Sequence, residues 1–306
     1  MERREFLRRT LGAGLATGLL LPFTRLNVFA ETVTDDEVPY DLVAVRDGEP
    51  AEMYHRAMDA MGGISRYVSK GQDVVVKPNI AWDVKPELAA NTNPELVNEI
   101  VKSCLEAGAD SVRVFDHPCD NWKKTYSTSG IADAVEEAGG TMIPGSSEKY
   151  FAEVDFPDGK KLTSGKVHEQ ILESDVFINV PVLKNHGGAK LTIAMKNLMG
   201  TVWDRGYLHS NGLHQCIADL STRIQPDLNI VDAYRVMKKG GPRGGSPDYL
   251  QKKKFLIISD DIVAADTAAA QVFGSEPGGI PHIKHGHEME LGNMQLEEQN
   301  IARIKV

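Results

Sequence analysis

The segment between residues 181 and 200 concentrates residue types that suit the binding of an anion. Lys184 and Lys196 lie within runs that are otherwise apolar or rich in glycine, and His186 directly precedes a pair of glycines. A buried or half-buried lysine in such a run carries a compact positive charge that suits a carboxylate or phosphate ligand. We therefore interpret Lys184 and Lys196 as ligand-binding residues. Solvated surface charge is the alternative, and it explains Lys190 equally well.

The glycine pair at 187–188 precedes a helix that we predict over residues 189–199. Backbone amides at a glycine-rich helix start approach an anion closely, and the positive end of the helix favours its charge. Within this predicted helix, Lys190 and Asn197 share one face and Thr192 and Lys196 share another.

Further polar residues follow other predicted strands. Lys77 and Asn79 follow a valine-rich strand at 73–77, Asp232 follows a strand at 228–231, and a glycine-rich loop at 240–245 contains Arg243. Residues 259–261 also follow a predicted strand. In open α/β sheets ligands bind just beyond the carboxyl ends of the strands, so we expect these side chains to form the site.

Each candidate receives a predicted role. Proton transfer is assigned to His186, Asp232 and Asp266. Binding of a carboxylate or phosphate ligand is assigned to Lys77, Asn79, Lys184, Lys196, Asn197 and Arg243.

A metal site is a further expectation. His117 and Cys119 follow a predicted strand at 111–115, and imidazole and thiolate are ligands of transition metals. The chain has three cysteines and no C-x-x-C pair, so local motifs build neither a zinc ribbon nor a ferredoxin-type cluster. It also lacks the P-loop, the G-x-S-x-G elbow and a G-x-G-x-x-G after the first strand. The sequence therefore names no cofactor.

Strands and helices alternate along most of the chain. We predict strands at 42–45, 73–77, 111–115, 176–180, 228–231 and 255–259. We predict helices at 51–68, from Pro94 with Asn93 as its N-cap to a stop at Gly108, and at 131–138, 189–199, 213–224 and 261–273, the last capped by Asp260. The section 141–165 is less regular and suits short antiparallel strands. This alternation predicts an α/β fold with a mainly parallel sheet flanked by helices in Rossmann-like layers, as one domain or two intimately joined halves.

The N-terminus resembles an export signal. Arg3 and Arg4 precede a weakly apolar run at 11–23, and small residues at 28 and 30 suit a signal peptidase. We predict a twin-arginine signal peptide at 1–30 and a single domain at 31–306, exported to the periplasm by the twin-arginine translocase. A basic amphipathic N-terminal helix or anchor is the alternative.

The charge of the chain argues against some partners. Its net charge is −9, and residues 1–30 contain five arginines and two glutamates, so the mature chain carries −12. An acidic surface repels phosphate backbones, which makes nucleic acid and anionic lipid surfaces poor partners. No later stretch is apolar enough for a membrane span, so we expect none in the mature protein.

Several motifs together resemble a known family. They are Lys77-Pro78-Asn79, the stretch 181–186, Met195-Lys196-Asn197-Leu198-Met199-Gly200 and an Asp261-x-x-Ala264-x-Asp266 pattern. This combination is similar to the family called domain of unknown function 362, over a core of about residues 42–273. The resemblance implies an α/β protein, in a family whose members are often exported or joined to iron–sulfur modules. This chain lacks the ferredoxin-type cysteine run of the cluster-bearing members, and the resemblance implies no reaction.

Three functions remain open at this point. The first is an enzyme that binds or transforms a small carboxylate or phosphate at the Lys/His/Asp site. The second is a redox protein that carries a metal, flavin or iron–sulfur cluster. The third is an accessory protein that binds a ligand without turnover.

Overall fold

The computed structural model describes residues 39–306 of the chain. The predicted signal peptide at 1–30 lies outside the described residues. Within 39–306, the structure contains no helix with the length and apolar character that crossing a membrane requires.

The strands of the described region are numbered in chain order. They are β1 (Leu42–Arg46), β2 (Asp73–Pro78), β3 (Ser111–Val114), β4 (Thr141–Met142), β5 (Phe151–Asp155), β6 (Ser164–His168), β7 (Val176–Val180), β8 (Val182–His186), β9 (Lys190–Thr192), β10 (Leu228–Met237), β11 (Leu250–Ser259) and β12 (Ile301–Lys305).

The α-helices of the same region are numbered likewise. They are α1 (Pro50–Ala60), α2 (Pro94–Glu106), α3 (Trp122–Thr128), α4 (Ile131–Glu137), α5 (Glu169–Glu173), α6 (Ala194–Asn197), α7 (Arg205–Ser210), α8 (Leu213–Ser221), α9 (Ile262–Phe273) and α10 (Pro281–Glu288).

One mixed sheet organises the fold, in the order β12-β1-β11-β10-β7-β2-β3-β4. Its central strands β10, β7, β2, β3 and β4 pair in parallel, whereas β11 is antiparallel to both β10 and β1. Beyond the end of β7, β8 continues the pairing with β10 and forms an antiparallel hairpin with β9. The predicted fold class, a mainly parallel sheet flanked by helices, is confirmed. The section 141–165 contributes to the antiparallel β5–β6 hairpin, which forms a separate small sheet.

The two faces of the sheet pack against different helices. Val74 and Val76 of β2 belong to a core with α1, α2, α3 and α4, whereas Val75 belongs to a core with α6, α8, α9 and α10. Side chains alternate along a strand, so Lys77 extends from the face that carries α6. The candidate site therefore lies on that face.

The predicted start of α2 is confirmed in its details. Asn93 is the N-cap, Pro94 is the first helical residue, and the Asn93 side chain accepts a hydrogen bond from Glu95 N at 2.9 Å. A free backbone amide in the first turn is thereby satisfied, as expected for a capping asparagine.

The helix predicted over 189–199 is wrong in its first half. Residues 187–188 lie in the three-residue turn of the β8–β9 hairpin, in which Lys184 pairs with Thr192 and His186 with Lys190. Pairing with β8 satisfies the backbone of Lys190–Thr192, so α6 starts only at Ala194. The glycine pair therefore does not precede a helix start, and the predicted helical faces that join Lys190 to Asn197 and Thr192 to Lys196 do not form.

The helix α9 differs slightly from its prediction. Its N-cap is Asp261 rather than Asp260, and Asp261 Oδ1 accepts from the amides of Val263 and Ala264, both at 2.8 Å. Because β11 is antiparallel to β10, the chain leaves Ser259 toward the amino ends of β2 and β7. Asp260 and Asp261 therefore do not join the residues that follow β2.

Candidate functional site

Lys77 is a fully buried ammonium whose partners are all supplied by the protein. It lies at the end of β2, and its exposed fraction is 0%. Its Nζ lies 2.8 Å from Asp116 Oδ1 and donates to Pro78 O at 2.9 Å and to Asn197 Oδ1 at 3.1 Å. The three oxygens match the three donors of an ammonium group.

Asp116, which follows β3, is held as tightly as Lys77. Its Oδ1 accepts from His117 N at 2.8 Å, and its Oδ2 accepts from Ile80 N at 2.7 Å. No role was predicted for Asp116 from the sequence. The structure makes it the countercharge of Lys77.

Gly200 makes this ion pair sterically possible. A Cβ at this position would lie 1.8 Å from Asp116 Oδ1 and 2.7 Å from Lys77 Nζ. The backbone after α6 therefore passes directly over the pair, and His117 N donates to Gly200 O at 3.1 Å. Any side chain here would displace the two charges.

Lys184 begins a chain of amide hydrogen bonds that all run in one direction. Its Nζ donates to Asn79 Oδ1 at 2.9 Å and also to Ala90 O. Asn79 Nδ2 donates to Asn197 Oδ1 at 3.0 Å, and Asn197 Nδ2 donates to Asn179 Oδ1 at 2.9 Å.

Asn179 and Asn229 continue this chain into the sheet. Asn179 Nδ2 donates to Asn229 Oδ1 at 2.9 Å, and Asn229 Nδ2 donates to Ser259 O at 3.4 Å. Lys77, Asn179, Asn229 and Ser259 occupy one register row across β2, β7, β10 and β11. A buried, fully satisfied network of this kind fixes one arrangement of its members.

Lys196 differs from the other two lysines in its partners. It is half-buried, and the one hydrogen bond recorded for its Nζ among the described residues is to the thioether sulfur of Met199, at 3.4 Å. A thioether is a weak acceptor. Its amine is therefore the one with bonding capacity left for a ligand.

A cavity of about 460 Å³ brings the candidate residues together. It is lined by Lys77, Asn79, Ala81, Trp82, Asp116, His117, Cys119, Lys184, His186, Thr192, Lys196, Asn197, Met199, Gly200, Arg205, Gly206, His209 and Pro242. Four of these lining residues are lysine or arginine, and Asp116 is the one carboxylate in the lining. Eight predicted residues thus line the cavity: Lys77, Asn79, His117, Cys119, Lys184, His186, Lys196 and Asn197.

Arg205, which the sequence did not single out, fixes the loop after β3. Its Nη1 donates to His117 O at 2.7 Å, its Nη2 donates to Pro118 O at 2.8 Å, and Cys119 Sγ lies 3.3 Å from Nη1. It follows the 3-10 turn that ends α6, and no sequence signal distinguishes it from an ordinary surface arginine.

The cationic cavity lowers the pKa of its own amines. Burial, followed by the charge of Lys196, lowers the pKa of Lys184 to about 7. Burial also lowers the pKa of Lys196 to about 8, with Arg205 and Lys77 acting in the same direction. Burial lowers the pKa of Lys77 as well, but Asp116 opposes that shift.

His186 faces the cavity as a neutral ring. Its Nδ1 accepts from the amides of Gly188 at 3.1 Å and Ala189 at 3.0 Å, so the proton of the neutral ring lies on Nε2. Burial and the charge of Lys196 lower its pKa to about 3. In this arrangement Nε2–H is a hydrogen-bond donor.

Asp232 and Asp266, the other two candidates for proton transfer, lie outside the cavity. Asp232 accepts from the amides of Asn93 at 2.8 Å and Tyr234 at 3.0 Å, and burial raises its pKa to about 6. Asp266 accepts from Ala194 N at 2.5 Å and Met195 N at 3.2 Å, which caps α6. Burial raises the pKa of Asp266 to about 8.

Arg243 is an exposed arginine outside the cavity lining. Its guanidinium lies 3.5 Å from Asp120 Oδ2 and stacks above Trp82, with 6.0 Å between the guanidinium carbon and the ring centre. The loop reaches the site through its neighbour Pro242, which lines the cavity.

His117 and Cys119 occupy different environments after β3. His117 Nδ1 lies 3.0 Å from Val202 O, and its ring stacks on Trp203 at 5.0 Å, whereas Cys119 is exposed. Within residues 39–306, no group of three or more His, Cys, Asp or Glu side chains is placed to hold a metal ion.

A second cavity of about 720 Å³ lies under the β5–β6 hairpin and shares His117 with the first. Its lysine, Lys166, is already paired with Glu148 at 2.5 Å. We place the candidate site in the smaller cavity because the buried cations without a carboxylate partner lie there.

Three of the motifs that carry the family resemblance, Lys77-Pro78-Asn79 and the stretches 181–186 and 195–200, contribute residues to the cavity. Comparison with known families agrees with that resemblance. A family described as a domain of unknown function, DUF362, matches residues 74–271, from β2 to α9. The chain belongs to this family. The matched DUF362 region contains every lysine, asparagine and aspartate of the cavity described above.

One curated relative shares most of this chain. It is the thylakoid-associated protein sll1697 of Synechocystis sp., which is 26% identical over 254 residues. The match covers 78% of this chain and 75% of that protein.

Two solved structures resemble the fold at low identity. The lactate racemase apoprotein of Thermoanaerobacterium thermosaccharolyticum matches with a TM-score of 0.44 and 12% identity, over 80% of this chain and 56% of that one. A Thermotoga maritima protein matches with a TM-score of 0.45 and 10% identity, over 79% of this chain and 60% of that one. This chain thus spans less than two thirds of either structure.

Proposed function

We propose that the 460 Å³ cavity binds a small anion, a carboxylate or a phosphate, and that this chain acts on that ligand. The observation that supports this most is the charge balance of the lining. Lys184, Lys196 and Arg205 line the cavity without a carboxylate, because Asp116 already pairs with Lys77. Buried charges require a partner, and a bound anion supplies it.

The size and the donors of the cavity support a small ligand. A volume of about 460 Å³ lies at the lower end of small-molecule sites, which span roughly 300–1,000 Å³. The Lys196 amine and the Nε2–H of His186 are donors whose protein partners leave bonding capacity. They suit oxygen acceptors on the ligand.

The proposal is tested by the thermal stability of the protein in the presence of phosphate, lactate or oxalate, with chloride at matched ionic strength as the reference. A ligand that binds only the folded state raises the melting temperature in proportion to its concentration over Kd. We expect this stabilisation in the wild type and its loss in Lys196→Met. Lys102→Met, an exposed position on α2, is the matched control. Equal responses of wild type and Lys196→Met would overturn the proposal.

We also propose export by the twin-arginine route. The support is the Arg3-Arg4 leader, together with a relative whose name associates it with a membrane system. Replacement of both arginines by lysine should retain the protein in the cytoplasm in cell fractionation. Unchanged export of that variant would contradict the proposal.

A further inference from the structure

The three lysines of the cavity differ in what a ligand can reach. Lys77 is 0% exposed and has three oxygen partners. Lys184 is 1% exposed and donates to Asn79 Oδ1 and Ala90 O. Lys196 is half-buried, and its recorded partner among the described residues is the Met199 sulfur. Only the Lys196 nitrogen is thus both accessible from the cavity and without an oxygen partner in the described chain.

We propose that Lys196 is a nucleophile that forms an imine with a small carbonyl compound bearing a carboxylate or phosphate group. This inference rests on the proposed anion site, because the anionic group is what the neighbouring cations would hold. It assigns to the site a covalent step and a substrate class.

The step balances without any further reactant. The neutral amine attacks the carbonyl carbon, a C–N bond forms, and the C–O double bond becomes a carbinolamine. Loss of the carbonyl oxygen as water then gives the imine, and both hydrogens of the amine leave in that water molecule. Hydrolysis reverses the step, so no oxidant or reductant is required.

The surroundings of Lys196 favour the neutral amine that this attack requires. Lys77, Lys184 and Arg205 line the same cavity, and neighbouring cations together with desolvation activate a lysine. With a pKa of about 8, the amine is neutral in about one molecule in ten at pH 7. An ordinary solvated lysine, with a pKa of about 10.4, is neutral in only about one molecule in 2,500.

The position of Lys196 in the fold supports the same role. Lys196 lies on α6, whose first turn Asp266 caps from α9, and its neighbour Asn197 is fixed by four hydrogen bonds to buried groups. The base of the side chain is thus held by the core while its amine enters the cavity. A nucleophile positioned on such a rigid element keeps its approach to a bound carbonyl.

The experiment is reductive trapping of the full chain at pH 7 with sodium cyanoborohydride. One arm uses pyruvate and the other uses glycolaldehyde phosphate, so that carboxylate and phosphate carriers are distinguished. Peptide mass mapping then locates the adduct. We expect Lys196 to be modified at least about tenfold faster than exposed Lys102, in one arm or both. Lys196→Arg, which cannot form an imine, should lose the fast adduct, whereas Lys102→Arg should keep it.

The two possible failures are distinguishable in the wild type. Lactate resembles pyruvate but has no carbonyl group to attack. If lactate, pyruvate or phosphate stabilises the fold and Lys196 is trapped no faster than Lys102, the imine is overturned and the anion site stands. Fast trapping confined to Lys184 also overturns the assignment. If none of the anions binds and Lys196 is not trapped, the anion site itself fails.

Discussion

The side-chain oxygen of Asn197 lies 3.0 Å from Nδ2 of Asn79 and accepts its hydrogen bond. This contact joins the hairpin side of the cavity, where Lys184 lies, to the Lys77–Asp116 pair at the end of β2. The position of α6 relative to the sheet is therefore set by polar groups as well as by the apolar core.

Replacement of Asn197 by alanine should destabilise the protein strongly. It leaves Lys77 Nζ, Asn79 Nδ2 and Asn179 Oδ1 each one partner short in the interior. Each unsatisfied buried group costs about 1–3 kcal/mol, so we expect a loss of at least about 2 kcal/mol in urea unfolding. Asn211→Ala, an exposed position, is the control. A loss no larger than that of the control would contradict the role of the network.

Replacement of Gly200 by alanine should disrupt the ion pair beneath it. The added Cβ overlaps Asp116 Oδ1, so the backbone or the pair must move, at a cost of about 1–3 kcal/mol. Gly278→Ala, where a Cβ meets no atom within 4 Å, is the matched control. Thermal or urea unfolding measures both variants, and equal stabilities would refute the close approach.

The stability difference between wild type and Lys184→Met should depend on pH. The folded pKa of Lys184 is about 7, below the unfolded value of about 10.4. Between these values the unfolded chain binds more protons, so this group makes the wild type more stable as pH rises. The slope is at most about 1.4 kcal/mol per pH unit. Urea unfolding at pH 6, 7.5 and 9 should show the free energy of unfolding of the wild type increasing relative to that of Lys184→Met. A difference that stays constant with pH would argue against a neutral Lys184.

Anion binding should weaken as pH rises from 6 to 9. Lys184 and Lys196, with pKa values of about 7 and about 8, lose their charges over this range, and the attraction for an anion decreases with them. Calorimetric titration of lactate, which stays a monoanion over this range, measures the affinity. Binding that is constant or stronger at pH 9 would remove these two amines from the recognition of the ligand.

Asp266 should affect the site from outside the cavity. Asp266→Ala leaves the amides of Ala194 and Met195 without an acceptor, so the start of α6 is released. We expect a stability loss of about 1–3 kcal/mol and weaker anion binding, because Lys196 lies on that helix. Asp266→Asn keeps one oxygen acceptor and should retain more of both. Calorimetry and urea unfolding of the two variants test this, and unchanged anion affinity in Asp266→Ala would contradict it.

Much of the fold can be predicted from patterns among residues that are close together in the sequence. The apolar run at β2 and the Asn93–Pro94 start of α2 each depend on neighbouring residues, so the sequence predicts them well. The β8–β9 hairpin depends on pairing of β8 with β10, a strand some fifty residues away, as in the Lys184–Met237 pair. The helical spacing of apolar residues in 189–199 could not show that the first part of this segment forms a strand paired with β8.

The lysines of the cavity were predicted because charged residues stand out in apolar runs. Asn179 was missed, although it lies inside the buried strand β7 between Ile178 and Val180. Asn229 similarly precedes the apolar run of β10. An asparagine at a core-facing strand position requires a buried partner, and that is the signal by which both could have been found.

The chain of asparagines from Lys184 to Ser259 O has a consequence for the movement of protons. Carboxamides polarise one another, but they neither gain nor release a proton at neutral pH. The asparagines behind Lys184 thus provide no path for a proton, and Asp116 is already paired with Lys77. Lys184 therefore exchanges its proton on the side of the cavity, where a bound ligand would control that exchange.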